Sequence, residues 1–460
     1  MKAFMPIRKR LMPGQQLFGD VFDARESIES ARTGFIEKLA DGRIRVTILY
    51  PEAHFFERLG GLGGVQHPGS SFENTTRYFI FSGAGSSIAL YGCRESGRSS
   101  STFRHTASIS FVAEHAVHLL PEILLGGGCG AMRAEISGLF SWIGQGAVER
   151  ESSCKNGSSP ESISVKTINN PPFEIDKTSK FRRTLRSTWA VHESGYPSHR
   201  GPAVTVQSRG LFQLDYFAPG PWRPSLRDIE AIRDLISISS WSPQEVLEID
   251  VCFSILEPEE QDEEPDWKPM DGIDTIQSVP EQKPPTIHLF PFSEIGREGI
   301  CKWLEIYNDP RSARTIQSLN LLLREDLVLP QRINLIGNAI DGIFHYLFPQ
   351  EETKDDFVGF KTECDRIRKE VRCIFNKNQF PNWSARMADA YNRTKHAGKT
   401  VTSDSHDEIR TYIEALFIVR VLLAKILGVE MRTLKELIQI DYGNPRRFTY
   451  GVTHDPFDDW

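Results

Sequence analysis

Asn392, Arg393 and His396 stand four and three residues apart at the end of the run Tyr391-Asn392-Arg393-Thr394-Lys395-His396. On a helix these three side chains share one face. Histidine, with an unperturbed pKa of about 6.5, takes or gives a proton near neutrality, and arginine carries a permanent charge that fits phosphate oxygens. With Lys395 they supply the parts of a metal-independent ribonuclease. A ribose 2′-hydroxyl would attack its own adjacent phosphate, with His396 as general base or acid and Arg393 or Lys395 balancing the growing charge. Asn392 would orient the imidazole or the scissile phosphate. Tyr391 either stacks on a base or packs in the core. This chemistry calls for no cofactor and no metal ion.

The cluster ends a basic region. Residues 361–399 hold ten basic side chains, Lys361, Arg366, Arg368, Lys369, Arg372, Lys377, Arg386, Arg393, Lys395 and Lys399, against four acids, a surplus of six. The whole chain carries a net charge of -7. If these side chains converge, they make a surface that attracts RNA phosphates without reading sequence. A solvated helical face would have the same composition. Candidate RNA contacts are Arg368, Lys369, Arg372, Arg386, Tyr391 and Lys399.

Elements that position this region follow from periodicity. Segments 316–323, 331–347, 357–375, 383–395 and 404–427 repeat their apolar residues at the helical period, which predicts a bundle of four to six helices. The last has capping oxygens at Ser403, Asp404 or Ser405 and a stop at Gly428. Ala415 to Val429 is the most lipid-like stretch, but Arg420 and Lys425 interrupt it and it is shorter than the roughly 20 residues that span a bilayer. It reads as a buried helix, and no membrane partner is expected.

Upstream the pattern changes. Short runs rich in β-branched and aromatic residues, at 43–50, 77–81, 87–91, 203–206 and 246–253, predict a β-rich domain built as two packed sheets. One amphipathic helix over 225–239 interrupts them, with Leu226, Ile229, Ile232 and Ile236 on one face. Between the two halves, Glu257 to Asp266 contains seven acids in ten positions, followed by Pro269, Pro280, Pro284 and Pro285. Such a run repels itself and builds no core. The expected class is therefore α+β. A β-rich sensor or regulatory domain occupies 1–255, an acidic linker 256–286, a helical domain 287–445 and a tail 446–460.

Other chemistries are excluded by pattern. The glycine-rich stretches at 60–64, 83–85 and 126–130 do not open a helix in a βαβ unit, and Gly398-Lys399-Thr400 has Arg393 where a phosphate-binding loop needs glycine. No nucleophile elbow occurs. Seven cysteines lack paired spacing, which excludes a zinc site and a disulfide framework and fits a reducing cytoplasm. His105, His115, His118 and His345 read as packing or surface residues. The N-terminus is basic without a following apolar run, so export is not expected.

The Asn392 to His396 cluster resembles the HEPN superfamily, helical domains marked by an arginine, four to six intervening residues and a histidine. The wider chain resembles ApeA-type anti-phage proteins, in which a β-rich N-terminal domain precedes a HEPN bundle. The matching stretches are Ala131 to Trp142, Trp303 to Arg311, and Gln331 to Asp341 before His345. The resemblance implies RNA as substrate, a homodimer in which two histidine motifs meet, a phage-derived trigger at the N-terminal domain, and growth arrest of an infected cell. One departure stands out: four, five or six intervening residues back from His396 fall Tyr391, Ala390 and Asp389. Arg393 is too close, and Arg386 lies about 15 Å away along a straight helix. The site is then either a variant that uses Arg393 and Lys395 or a binding module without catalysis.

Overall fold

The computed structural model describes residues 11–23, 31–51, 77–83, 86–101, 106–119, 128–154, 160–193, 204–255, 265–271, 287–349, 359–375, 380, 382–395 and 405–441. Six strands come first: β1 (Gln16–Asp23), β2 (Arg32–Lys38), β3 (Ile44–Pro51), β4 (Arg77–Gly83), β5 (Ser86–Ser101) and β6 (Thr106–Ala113). Their apolar residues alternate, so Ile44, Val46 and Ile48 point to one side of β3 and are buried. Antiparallel pairing runs β1-β2-β3-β6-β5-β4 and back to β1. The sheet thus closes into a barrel filled by Val21, Ile36, Val46, Phe79, Phe81, Ile88 and Phe111.

Strand β5 leaves the barrel at its other edge. Its first half, Ser87 to Tyr91, pairs with β7 (His115–Leu119). From there an open antiparallel sheet continues through β8 (Cys129–Ile136), β11 (Phe173–Lys177), β12 (Phe181–Glu193), β13 (Val204–Gly220), β14 (Val246–Cys252) and β15 (Lys268–Asp271). The spatial order outward from the barrel is β7-β15-β14-β8-β13-β12-β11. A separate hairpin is made by β9 (Val148–Cys154) and β10 (Pro160–Thr167). A barrel joined to an open sheet replaces the expected two packed sheets, because β5 is long enough to serve both.

Strand β15 lies inside the segment read as linker. Met270 pairs with Ile249 and Val117, and Trp267 is buried with Arg133 stacked over its ring at 4.4 Å. The acidic run ends just before two apolar anchors that insert into the sheet. Residues 256–264 and 272–286 lie outside the described residues.

The helices are α1 (Leu139–Ile143), α2 (Trp222–Ser240), α3 (Phe292–Asn308), α4 (Ala313–Arg324), α5 (Leu329–Leu347), α6 (Phe360–Glu370), α7 (Trp383–Lys395), α8 (Ser405–Ile426) and α9 (Met431–Ile440). They match the five expected in the second half and add α3 and α9. Gly428 follows α8 at φ +93°, the left-handed conformation expected of its stop signal. Ser403 and Asp404, two of its proposed caps, lie outside the described residues. Among the described residues, no helix is long and apolar enough to cross a membrane.

Helix α2 joins the two halves. Ile229, Ile232 and Ile236 are buried, as the amphipathic pattern predicts, but so are Ala231, Leu235 and Ile238. The sheet covers one side and the C-terminal helices cover the other, so a single hydrophobic cluster runs from β8, β13 and β14 through α2 into α3, α5 and α8. Two tryptophans tie it together: Trp142 Nε1 donates to the Phe290 carbonyl at 2.9 Å and Trp303 Nε1 to the Ala231 carbonyl at 2.7 Å. The linker divides the sequence without dividing the core.

The C-terminal end of α2 leaves carbonyls without helical partners. Arg420, fully buried in the middle of α8, satisfies two of them: its Nε donates to the Ile238 carbonyl at 3.1 Å and Nη2 to that of Ser239 at 3.0 Å. The same guanidinium grips both oxygens of buried Asp441 and stacks 5.2 Å from the Trp241 ring. The charge that interrupts the apolar run of α8 is therefore the contact that docks α8 on α2. Substituting Arg420→Met takes the buried cation from Asp441 and the side-chain donor from the Ile238 carbonyl, and we expect a loss of about 3–5 kcal/mol in denaturant unfolding.

At the barrel junction His115 is buried and stacked on Tyr91, ring centroids 5.0 Å apart. Burial pushes its pKa down to about 4; Glu114 opposes this and Arg223 adds to it. The folded imidazole stays neutral where the unfolded one, near 6.5, gains a proton. Stability is therefore retained above about pH 6.5 and lost as pH falls toward 4, by about 3 kcal/mol in all. His115→Phe should flatten that acid limb in unfolding curves measured between pH 7 and 4.

Candidate active site

Helices α5, α6 and α7 build the region of the candidate residues. On α5, Asn338, Asp341 and His345 follow at spacings of three and four and so share a face. That face meets the start of α6 and the end of α7. Tyr391 OH donates to Asn338 Oδ1 at 2.8 Å, and the Tyr391 ring packs on Phe360 with centroids 4.3 Å apart. Gly337 allows this approach, since a Cβ there would overlap the Tyr391 ring.

Tyr391 is only 3% exposed. Of the two roles the sequence allows it, packing is the one observed, and a ring buried in this way offers no open face to an RNA base. Asn392 and Lys395 are exposed on the outer side of α7, and Lys395 Nζ lies 4.1 Å from the Tyr391 ring centroid. Arg393 is folded back into ion pairs with Asp389 at 3.1 Å and Glu408 at 3.2 Å. His396 and Lys399 lie outside the described residues.

Two of the ten basic residues of 361–399, Arg386 and Arg393, are answered by acids from outside the segment. Glu414 of α8, fully buried, holds both Arg386 and Arg410, and Arg386 also donates to Thr411 Oγ1 at 3.0 Å. Arg386, a candidate RNA contact in the sequence, is engaged by these two side chains and fixes α7 to α8. Lys425 of α8 donates to the Glu370 carbonyl at 2.7 Å, closing the C-terminal end of α6. Lys361 pairs with Asp365 at 2.8 Å. Lys369 and Arg372 remain exposed, and Arg368 is half-buried.

Sequence reasoning missed Glu363, Asp341 and His345. Asp341 Oδ1 lies 3.4 Å from His345 Nε2, while its other oxygen takes Arg314 of α4 at 3.1 Å. Glu363 on α6 is 5% exposed and faces this pair. Burial pushes its carboxyl up to about 7, the Asp341 charge adds to the shift, and Lys395 opposes it. The aspartate and histidine four apart on one helix face were a legible signal; their convergence with a glutamate on the next helix was not. Elsewhere among the described residues, a groove of about 400 Å³ opens between α2, α3 and α4, lined in part by Arg223, Arg227, Glu230 and Tyr307.

A family model described as ApeA N-terminal domain 1 matches residues 33–303, more than half of the chain. The chain belongs to this ApeA family. The ApeA match takes in most of the barrel, the whole open sheet, α2 and the linker, and it ends at Trp303, whose indole binds α2. Membership of the ApeA family points to a protein of anti-phage defence. The helices that carry the candidate site lie beyond the ApeA match. No curated protein and no solved structure matches the chain.

Gly337→Ala should destabilise the protein by about 1–3 kcal/mol, because the added methyl drives Tyr391 off α5. In a Tyr391→Ala background the same substitution should cost much less, a coupling that a double-mutant cycle of denaturant unfolding reads directly.

Proposed function

We propose that this ApeA-family chain is an anti-phage effector whose helical half is a HEPN-type, metal-independent endoribonuclease. The N-terminal barrel and sheet receive the phage-derived trigger, and the helical halves of two copies meet as a homodimer. Support comes from one juxtaposition: α7 carries exposed Asn392 and Lys395 on its last turn, immediately before His396, and buried Tyr391 anchors that turn on α5.

In this reading the ribose 2′-hydroxyl gives its proton to His396 as its oxygen bonds to phosphorus. The bond to the 5′-oxygen breaks, and that oxygen takes a proton to leave as a hydroxyl. Lys395 balances the charge that develops on the phosphate oxygens. Release of RNA fragments would arrest the infected cell.

A second reading has its own support. Arg386 and Arg393, the nearest arginines, are both engaged by acids of α8. A helical module so arranged would bind RNA or a protein without cutting it. The deciding experiment expresses the intact chain and a His396→Ala version in a bacterial host, challenges both with phage, and follows RNA integrity and plaque counts. We expect RNA breakdown and fewer plaques with the intact chain alone. Equal protection by both versions without RNA loss would remove the ribonuclease reading and leave the binding module.

A further inference from the structure

We infer that Asp341, His345 and Glu363 form a binding site for one divalent transition-metal ion, placed between α5 and α6 beside the end of α7. Each residue offers one ligand atom, and these atoms all lie within 4.8 Å of one another. Donors about 2.1 Å from a tetrahedral ion sit about 3.4 Å apart. Asp341 Oδ1 and His345 Nε2 are 3.4 Å apart already.

Glu363 supplies the second and independent observation. It is 95% buried by its 5% exposure, yet its Oε2 has no hydrogen-bond partner among the described residues. A buried carboxylate oxygen without a donor is costly, and a cation is the partner that removes the cost. The rest of the surroundings fits. Arg314 binds the outer oxygen of Asp341, Oδ2, and so orients the inner one toward His345. Lys395 is exposed, with its ammonium over the Tyr391 ring, so it flanks the three ligands without replacing one.

Two carboxylates and an imidazole select a transition-metal dication over Mg²⁺ or Ca²⁺, which prefer all-oxygen sets. Three protein ligands leave coordination positions open to water. The bound ion would cross-link α5 to α6. It would also neutralise two acids next to the turn that presents Asn392 and Lys395, which eases the approach of an anion. This inference concerns binding and does not rest on the ribonuclease reading.

The test titrates Mn²⁺ into the full chain, freed of metal by a chelator, and follows the loss of the free-ion signal by electron paramagnetic resonance. One tight site per chain is expected, with a Kd below about 100 μM, and Zn²⁺ should compete for it while Mg²⁺ should not. The near-isosteric Glu363→Gln and Asp341→Asn variants, along with His345→Ala, should weaken Mn²⁺ binding by about tenfold or more, since even an outer partner is worth that much. Circular dichroism checks that each variant folds, and Mn²⁺ should raise the Tm of the intact chain alone. No binding tighter than millimolar would overturn the site. So would Mn²⁺ binding that survives all three substitutions, the result expected if the acidic run 257–266 holds the ion instead.

Discussion

One guanidinium organises this molecule. Arg420 interrupts the apolar run of α8, and four of its five N–H groups are accounted for by Asp441, Ile238 and Ser239. Removing an ion of that size from water costs several kcal/mol, so the arrangement holds only because charge and donors are met together. Its position follows from a defect in α2, whose last turn exposes carbonyls that the helix itself cannot use. The Leu289 amide takes one of the same carbonyls, that of Ser239, at 2.9 Å, and Ser239 Oγ exchanges hydrogen bonds with the Phe290 backbone. The polypeptide on the far side of the acidic segment thus completes a helix that belongs to the β-rich half.

From that joint the rest of the bundle takes its place. With α8 fixed on α2, its acids Glu408 and Glu414 face α7 and draw in Arg393 and Arg386. With α7 fixed, Tyr391 reaches across to Asn338, and the last turn carries Asn392 and Lys395 outward. The candidate site is a product of helix docking, built from side chains on three consecutive helices. Asp234 plays a similar part at the other face of α2: its carboxylate, 1% exposed, binds Arg233, Tyr307 and Asn320, so α3 and α4 are held to α2 by one buried acid.

Charge counting along the chain gave a basic surface over 361–399, and the fold takes Arg386 and Arg393 out of it. Linear surplus is a property of one segment, whereas the field at a surface depends on every segment packed against it. The acids that quench the arginines come from α8, outside the counted window. The same reasoning explains why His345 reads as ordinary in the sequence. Its imidazole gains chemical interest only when Glu363 is brought to it by the packing of α6 on α5.

What the sequence determined by itself is local. Alternation placed β3, β4 and β14, the helical period placed α2, α5, α7 and α8, and Gly428 ended α8, because these signals depend on backbone geometry and on which face must be dry. The succession of a β-rich half and a helical half was equally legible. Tertiary structure alone decided that β5 would close a barrel and also extend a sheet, that 268–271 would be a strand beside the acidic run, and that the two halves would share one core. It also decided that Tyr391 packs, that Arg386 and Arg393 pair with α8, and that Asp341, His345 and Glu363 meet. Each of these depends on which surfaces come together across long separations, and the pairing of a buried charge or the closing of a sheet leaves no periodic trace in the chain.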